Sequence, residues 1–295
     1  MNGHPPSVGG VDIDVPLVRR LLAQFPKWAT LPVTATGVNG WDTVIFRLGT
    51  DLAVRLPRRE LGAEHLSTEY RWLPVIAPHL PLPTPVPLRL GEPAEGYPWH
   101  WTVTPWLPGR TASDGPVRNQ RQTADLLARF ITDLHALDTT GGPASTLRSI
   151  PLVDRDSAVR ATIANMRGNW GADALTAVWN AALAAGPWTG PNVWVHGDLH
   201  PANLLTIDGR LSAVIDFGLL GVGDPASDLI VAWTLLSPPG RSHLRQALSI
   251  TDATWARGRG RALDFGLMCL SRTQHDSVVG RIARRTVAQL LADNG

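Results

Sequence analysis

The apolar pattern of this chain changes period once, and that change limits the folds open to it. Between Leu31 and Leu56 the pattern is that of strands. Thr43-Val44-Ile45-Phe46-Arg47-Leu48 reads as one strand and Leu52-Ala53-Val54-Arg55-Leu56 as the next, joined by the tight turn Gly49-Thr50-Asp51. Beyond residue 120 the spacing becomes helical, with Leu127, Phe130, Ile131 and Leu134 forming a stripe between Gln120 and Asp138. A strand-built front and a helix-built back make an α+β chain.

Local signals refine this division. Asp14 before Val15-Pro16-Leu17 predicts an N-cap, and Leu17, Val18, Leu21 and Leu22 predict a short helix ending at Pro26. Thr36 to Asp42 reads as turn-rich. Glu60 to Leu73 reads as a helix with Leu66, Tyr70 and Leu73 on one face, ended by Pro74. The proline run from Leu80 to Pro87 predicts an extended connector. Trp99 to Trp106 is β-like, and Leu107-Pro108-Gly109 breaks it. We place the boundary there, with an N-terminal lobe over residues 1–105 and a mostly helical C-terminal lobe over 106–295. Ser157 to Ala185 reads as helix interrupted near Gly168 to Gly171. Leu204-Leu205-Thr206-Ile207 and Leu211-Ser212-Ala213-Val214-Ile215 flank Asp208-Gly209, a hairpin signal.

Composition excludes several classes. Hydrophobic residues at 44% and charged residues at 18% argue for a packed protein over a disordered one. A net charge of +2 does not argue for a nucleic-acid partner. Cys269 is the only cysteine, so neither an intramolecular disulfide nor a cysteine-based zinc site is expected. Met1 to Asp14 lacks the pattern of a secretory signal, and no run of about 18 apolar residues is present. A cytoplasmic protein without a nucleic-acid or membrane partner is expected; oligomeric state is not legible.

The chemistry concentrates in His196-Gly197-Asp198-Leu199-His200-Pro201-Ala202-Asn203, followed by Ile215-Asp216-Phe217-Gly218. Phosphoryl transfer needs hard oxygen ligands for a metal ion and a carboxylate near the acceptor hydroxyl. Folding the Asp208-Gly209 hairpin brings Asp216 to within about two residues of Asn203, or roughly 7–8 Å between backbones. Asp198 lies on the loop that enters the same hairpin. Three oxygen-bearing side chains therefore converge at one strand edge.

His-x-Asp-x-x-x-x-Asn followed by Asp-Phe-Gly is the kinase catalytic-loop and metal-loop pattern. In the form HGDLHPANLL, VIDFG and Gly223-Asp224-Pro225-Ala226-Ser227-Asp228-Leu229 it resembles the aminoglycoside phosphotransferase family. Phe217 and Asp228 are too close for the activation segment of a protein kinase. The resemblance runs along essentially the whole chain and is specific at 196–229. It implies a two-lobed protein-kinase-like fold, ATP or GTP with Mg²⁺ as cofactors, and transfer of phosphate to a small-molecule hydroxyl acceptor. It makes Asp198 the catalytic base or hydroxyl-orienting group and Asn203 and Asp216 the Mg²⁺ ligands, with His196 and Asp228 bracing the loop. Arg55 takes the place of the phosphate-gripping strand lysine, paired with Glu69 or, as runner-up, Glu64. Gly40, in the loop Gly37 to Asp42, sits in the phosphate flap. Thr104-Pro105-Trp106 is the hinge for adenine, through Thr104 and Trp106.

Plainer readings stand beside these. Arg55 is also acceptable as a surface strand arginine, and Glu69 as a solvated helix charge. His196 and His200 do not read as a zinc pair, because the residues between them are loop-forming. His135 reads as a packed core histidine, and Arg257-Gly258-Arg259-Gly260-Arg261 as a solvated surface. The alternatives to a small-molecule kinase are a non-catalytic nucleotide-binding module and a protein kinase. All five glutamates precede the hinge, and Asp252, Asp264, Asp276 and Asp293 are scattered, so charge does not favour a polycationic acceptor. Trp170, Trp179, Trp188, Trp233 and Trp255 are candidates to line a pocket for a less charged compound.

Overall fold

The computed structural model describes residues 7–8, 10–145, 147–166, 171–274 and 276–293. The chain divides into two compact units, Met1–Pro78 with Pro83–Leu107, and His79–Leu82 with Pro108–Gly295.

In the first unit, β1 (Ser7–Val8) and β2 (Val11–Asp12) form a small antiparallel pair before α1 (Val15–Leu21). Asp14 caps α1 by accepting from the Leu17 amide at 2.8 Å. A five-stranded antiparallel sheet follows, in the order β3 (Val33–Asn39), β4 (Thr43–Leu48), β5 (Leu52–Pro57), β7 (Trp101–Pro105) and β6 (Arg89–Gly91). Alternate residues of β4 are buried, as its period requires: Val44, Phe46 and Leu48 join a core with Leu17, Val18, Leu21, Tyr97 and Trp101. Thr36 to Asp42 is less turn-rich than its composition suggests. Strand β3 runs to Asn39, absorbing its irregularity in a register shift between Ala35 and Asn39.

Helix α2 (Glu60–Ile76) packs on β5 and β7 through Leu66, Glu69, Leu73 and Ile76. Two expectations fail here. Pro74 sits inside the helix, in its last turn, and the helix closes beyond it with the Ala77 amide bonded to the Leu73 carbonyl. Tyr70 is exposed, because the buried stripe drifts to Glu69 and Leu73. The segment from Leu80 to Pro87 is a connector without helix or strand.

In the second unit, β8 (Arg110–Thr111), β10 (Leu204–Ile207) and β11 (Arg210–Val214) make one small sheet. Strands β9 (Val193–Val195) and β12 (Gly221–Gly223) make another. Between β10 and β11 the two-residue loop has Asp208 at φ +52° and Gly209 at φ +73°, the primed turn that the Asp-Gly pair predicts. The helices are α3 (Gln120–His135), α4 (Asp156–Asn165), α5 (Ala172–Ala184), α6 (Val231–Thr234), α7 (Pro238–Leu248), α8 (Asp252–Arg272) and α9 (Val278–Ala292). Gly168, in the interruption expected between α4 and α5, lies outside the described residues. Among the described residues no helix is long and apolar enough to cross a membrane.

Arg257 and Arg261 overturn the solvated reading of their tract. Both are buried on one face of α8, and Arg257 Nε and Arg261 Nη2 donate to Asp224 Oδ2 at 3.0 and 2.9 Å. Gly260 between them lets α8 approach α5: a methyl there would lie 2.4 Å from Ala182 Cβ. Cys269, also on α8, is buried, and burial pushes its thiol up to about 12. The thiol is thus neutral at pH 8 as well as shielded. Ellman's reagent at pH 8 is expected to leave native protein unmodified over an hour and to release one equivalent of chromophore after denaturation. Rapid reaction of the native protein would contradict this packing.

Candidate active site

Strand β9 leads directly into His196, Gly197 and Asp198. The turn after it is held by Asp228, which is fully buried. Asp228 Oδ1 accepts from the Gly197 amide at 2.8 Å, and Oδ2 accepts from the His196 amide at 3.2 Å and sits 3.0 Å from His135 Nε2. His135 is therefore a partner of this carboxylate, not merely a packed core ring. His196 is buried as well. Its Nδ1 accepts from the Asp198 amide at 3.2 Å and its Nε2 lies 3.1 Å from the Ile215 carbonyl. One tautomer, with the proton on Nε2, satisfies both contacts. Gly197 has φ +78°, and a methyl on it would lie 2.9 Å from the Leu219 carbonyl oxygen, so the turn demands glycine twice over.

Both oxygens of the Asp198 carboxylate are engaged. Arg148 Nη2 donates to Oδ1 at 3.0 Å. His200 Nε2 lies 3.3 Å from Oδ2, and Asn203 Nδ2 donates to the same oxygen at 3.3 Å. Burial alone would raise the pKa of this group. The charges of His200 and Arg148, with the His200 hydrogen bond, outweigh burial and hold the carboxyl well below the usual carboxylate range. Asp198 is ionised at neutral pH, and three of its roughly four lone-pair sites are occupied.

Asn203 closes a short 3₁₀ turn, Pro201–Asn203, whose N-cap is His200. Its Nδ2 also donates to the Asp198 carbonyl at 3.0 Å, which turns the amide nitrogen towards Asp198 and leaves the amide oxygen for other use. The Ile215 amide donates to the Asn203 carbonyl at 2.9 Å, extending the hairpin ladder by one pair, so Asp216 follows immediately. Asp216 holds φ +62°, a left-handed conformation that is uncommon outside glycine and that collects at functional sites.

An amide oxygen and a carboxylate suit a hard cation such as Mg²⁺. Among the described residues no three His, Cys, Asp or Glu side chains could hold a metal ion between them. A cation at Asn203 and Asp216 would draw the rest of its shell from water and phosphate oxygens, as Mg²⁺ ordinarily does.

In the first unit, Arg55 on β5 makes a two-pronged pair with Glu69 on α2: Nη1 meets Oε2, and Nη2 donates to Oε1 at 3.1 Å. Glu69 is buried and Glu64 is exposed, so the geometry separates the two candidates. Gly40 opens the turn between β3 and β4, its amide bonded to the Thr43 carbonyl at 3.0 Å. At the end of β7 the ladder fixes which edge each residue faces. Thr104 is opposite Ala53, and the Trp106 amide donates to the Asp51 carbonyl at 2.8 Å, so both residues turn their backbone polar groups towards β5. Alternation sends the Pro105 carbonyl to the opposite edge, past the last pairing of β6 at Val103.

Arg148 and His200 are contacts of Asp198 that sequence reasoning missed. His200 was visible within the motif itself; Arg148 lies 50 positions away with no local mark. Two of the five tryptophans expected to line a pocket are closed to a ligand. Trp179 and Trp233 have no exposed surface, and their indole N–H groups donate to Asp156 at 2.7 Å and to Asp293 at 2.9 Å. Trp170 lies outside the described residues. The scattered acids are each met by arginine: Asp264 by Arg155, Asp252 by Arg245, Asp276 by Arg284 and Asp293 by Arg241.

Comparison with known proteins agrees with this arrangement. The model of the "phosphotransferase enzyme family" matches residues 34–263. An aminoglycoside 3'-phosphotransferase of Escherichia coli is 26% identical over 226 residues, covering 71% of this chain and 78% of that protein. The apoenzyme structure of macrolide 2'-phosphotransferase MphH from Brachybacterium faecium superposes with a TM-score of 0.59 at 26% identity, covering 94% of this chain and 97% of that one. The GDP complex of aminoglycoside 2'-phosphotransferase-IIIa shares the fold, with a TM-score of 0.74 at 18% identity over 96% of this chain and 100% of that one. A turn at Asp198 braced by His196 and Asp228, the hairpin beyond it and a match across most of the chain converge: this protein belongs to the phosphotransferase enzyme family.

Proposed function

We propose that this chain is an ATP- or GTP-dependent, Mg²⁺-requiring kinase that moves the γ-phosphate to a hydroxyl of a small molecule. The acceptor class is an aminoglycoside or other antibiotic, or a sugar or amino-alcohol metabolite. The observation that carries the reading is the grouping of Asp198, Asn203 and Asp216 at one end of the β10–β11 hairpin. Similar proteins support it: structures hold GDP with kanamycin, ATP with streptomycin, ADP, or gentamicin.

Each residue has a role in this reading. Residues 1–105 hold the nucleotide and residues 106–295 the catalytic loop and acceptor. Arg55, fixed by Glu69, grips the α- and β-phosphates through its fork. The turn at Gly40 covers the phosphates, and the hinge at Thr104 to Trp106 takes adenine through the Pro105 carbonyl. Asn203 and Asp216 hold Mg²⁺, which when bound neutralises charge on the phosphates. Asp198 orients the acceptor hydroxyl along the line of transfer and receives its proton late, since a carboxylate held this acidic is a weak base. A cytoplasmic location fits a nucleotide consumer whose single cysteine is buried.

The test is transfer of γ-label from ATP or GTP to aminoglycosides, macrolides, sugars and amino alcohols. Label is expected in a small molecule, only with Mg²⁺, and EDTA is expected to abolish it. Nucleotide binding with no transfer to any hydroxyl would instead favour a non-catalytic module. Glu69→Ala, measured by calorimetry, is expected to weaken nucleotide binding about 10- to 100-fold, the value of a charged hydrogen-bonded contact. Unchanged affinity would return Arg55 to a structural role.

A further inference from the structure

The Asp198 carboxylate is the point an acceptor hydroxyl must reach, and a guanidinium already stands on it. Arg148 Nη2 is 3.0 Å from Asp198 Oδ1, with both side chains mostly withdrawn from solvent. Arg148 is not a loose surface side chain. Its carbonyl accepts from Ser227 Oγ at 3.0 Å and from Arg261 Nη1, and its guanidinium lies 5.5 Å from the centre of the Phe265 ring. Arg261 is itself fixed to Asp224. The charge is therefore held in place from the segment that follows the metal loop and from α8. The nearby Asp264 cannot offset it, because Arg155 grips that carboxylate with two hydrogen bonds of 3.0 Å.

Resting on the kinase reading above, we propose that Arg148 selects the acceptor. It admits hydroxyl compounds that are neutral or acidic beside the reacting hydroxyl and turns away those flanked by ammonium groups. The permanent charge of arginine makes this selection independent of pH across the physiological range. An ammonium roughly 6 Å from the guanidinium and roughly 9 Å from the Asp198 carboxylate that is paired with it is repelled, at an effective dielectric near 20, enough to change kcat/KM about fivefold. Arg148 donates one N–H to Asp198 Oδ1, while its Nε is buried without a hydrogen-bond partner. An acceptor carboxylate beside Asp198 would meet a guanidinium whose charge is only partly offset.

A matched series isolates charge from shape: glucosamine, glucose and glucuronate, with kanamycin as the polycation. Label transfer is measured for the wild type, Arg148→Gln and Arg148→Lys, and thermal unfolding checks that each variant folds. For the wild type, kcat/KM for glucose and glucuronate is expected to exceed that for glucosamine and kanamycin by about fivefold. Arg148→Gln, which leaves the Asp198 charge unpaired, is expected to bring the ratio to about one or below, while Arg148→Lys, which keeps the charge, preserves the order. A wild-type preference for kanamycin or glucosamine would overturn the proposal with the kinase reading intact. So would a ratio unmoved in a folded Arg148→Gln. No nucleotide-dependent transfer to any acceptor, with nucleotide still bound, would overturn the kinase reading and this selection with it.

Discussion

Asp198→Asn is expected to lower phosphate transfer by 10²- to 10⁴-fold, the range that a positioned acid–base group contributes. Nucleotide affinity is expected to change less than about threefold, because the residues assigned to nucleotide are Arg55, Glu69 and the hinge. The substitution is nearly isosteric, so the turn at Gly197 should survive. Its amide would still contact His200 and Asn203, but it removes the negative charge that Arg148 neutralises. The altered residue then leaves an arginine unpaired beside the acceptor, which adds to the loss. Single-turnover label transfer separates the two quantities. A variant with nearly full transfer would show that Asp198 is an ordinary loop aspartate.

Asp228→Ala is expected to destabilise the second unit by about 3–5 kcal/mol, the cost of removing a buried carboxylate that satisfies three hydrogen-bonding groups. Asp228 is fully buried and serves three groups: the amides of His196 and Gly197, and His135. Alanine leaves two backbone donors buried and unmatched, each costing about 1–3 kcal/mol. At roughly 2–4 °C per kcal/mol for a unit of this size, the midpoint should fall by about 10 °C. Calorimetry reads this directly. A shift under about 2 °C would mean that water replaces the carboxylate and that the brace is dispensable.

What could be read from the residues alone follows from how local each interaction is. The Asp208-Gly209 turn is legible because it needs positive φ at both positions, and few residue pairs supply it. Asn203 and Asp216 are legible for the same reason: once that hairpin is drawn, their proximity follows by counting. Arg148, Arg257 and Arg261 are not legible. Their carboxylate partners lie 50, 33 and 37 positions away, and nothing nearby distinguishes a buried arginine from a solvated one. Which edge the backbone groups of Thr104, Pro105 and Trp106 face is not legible either, because it depends on the ladder between β5 and β7. Pro74 misled as a helix stop, since a proline in the last turn costs few hydrogen bonds.

The central claim is that Asn203 and Asp216 together hold a metal bound to nucleotide. Electron paramagnetic resonance of Mn²⁺, titrated into protein saturated with a non-hydrolysable ATP or GTP analogue, tests it most directly. One tight ternary site is expected in the wild type and in Asp198→Asn, weakened at least about tenfold in Asn203→Ala and Asp216→Ala. Equal Mn²⁺ affinity in all four proteins would contradict the account.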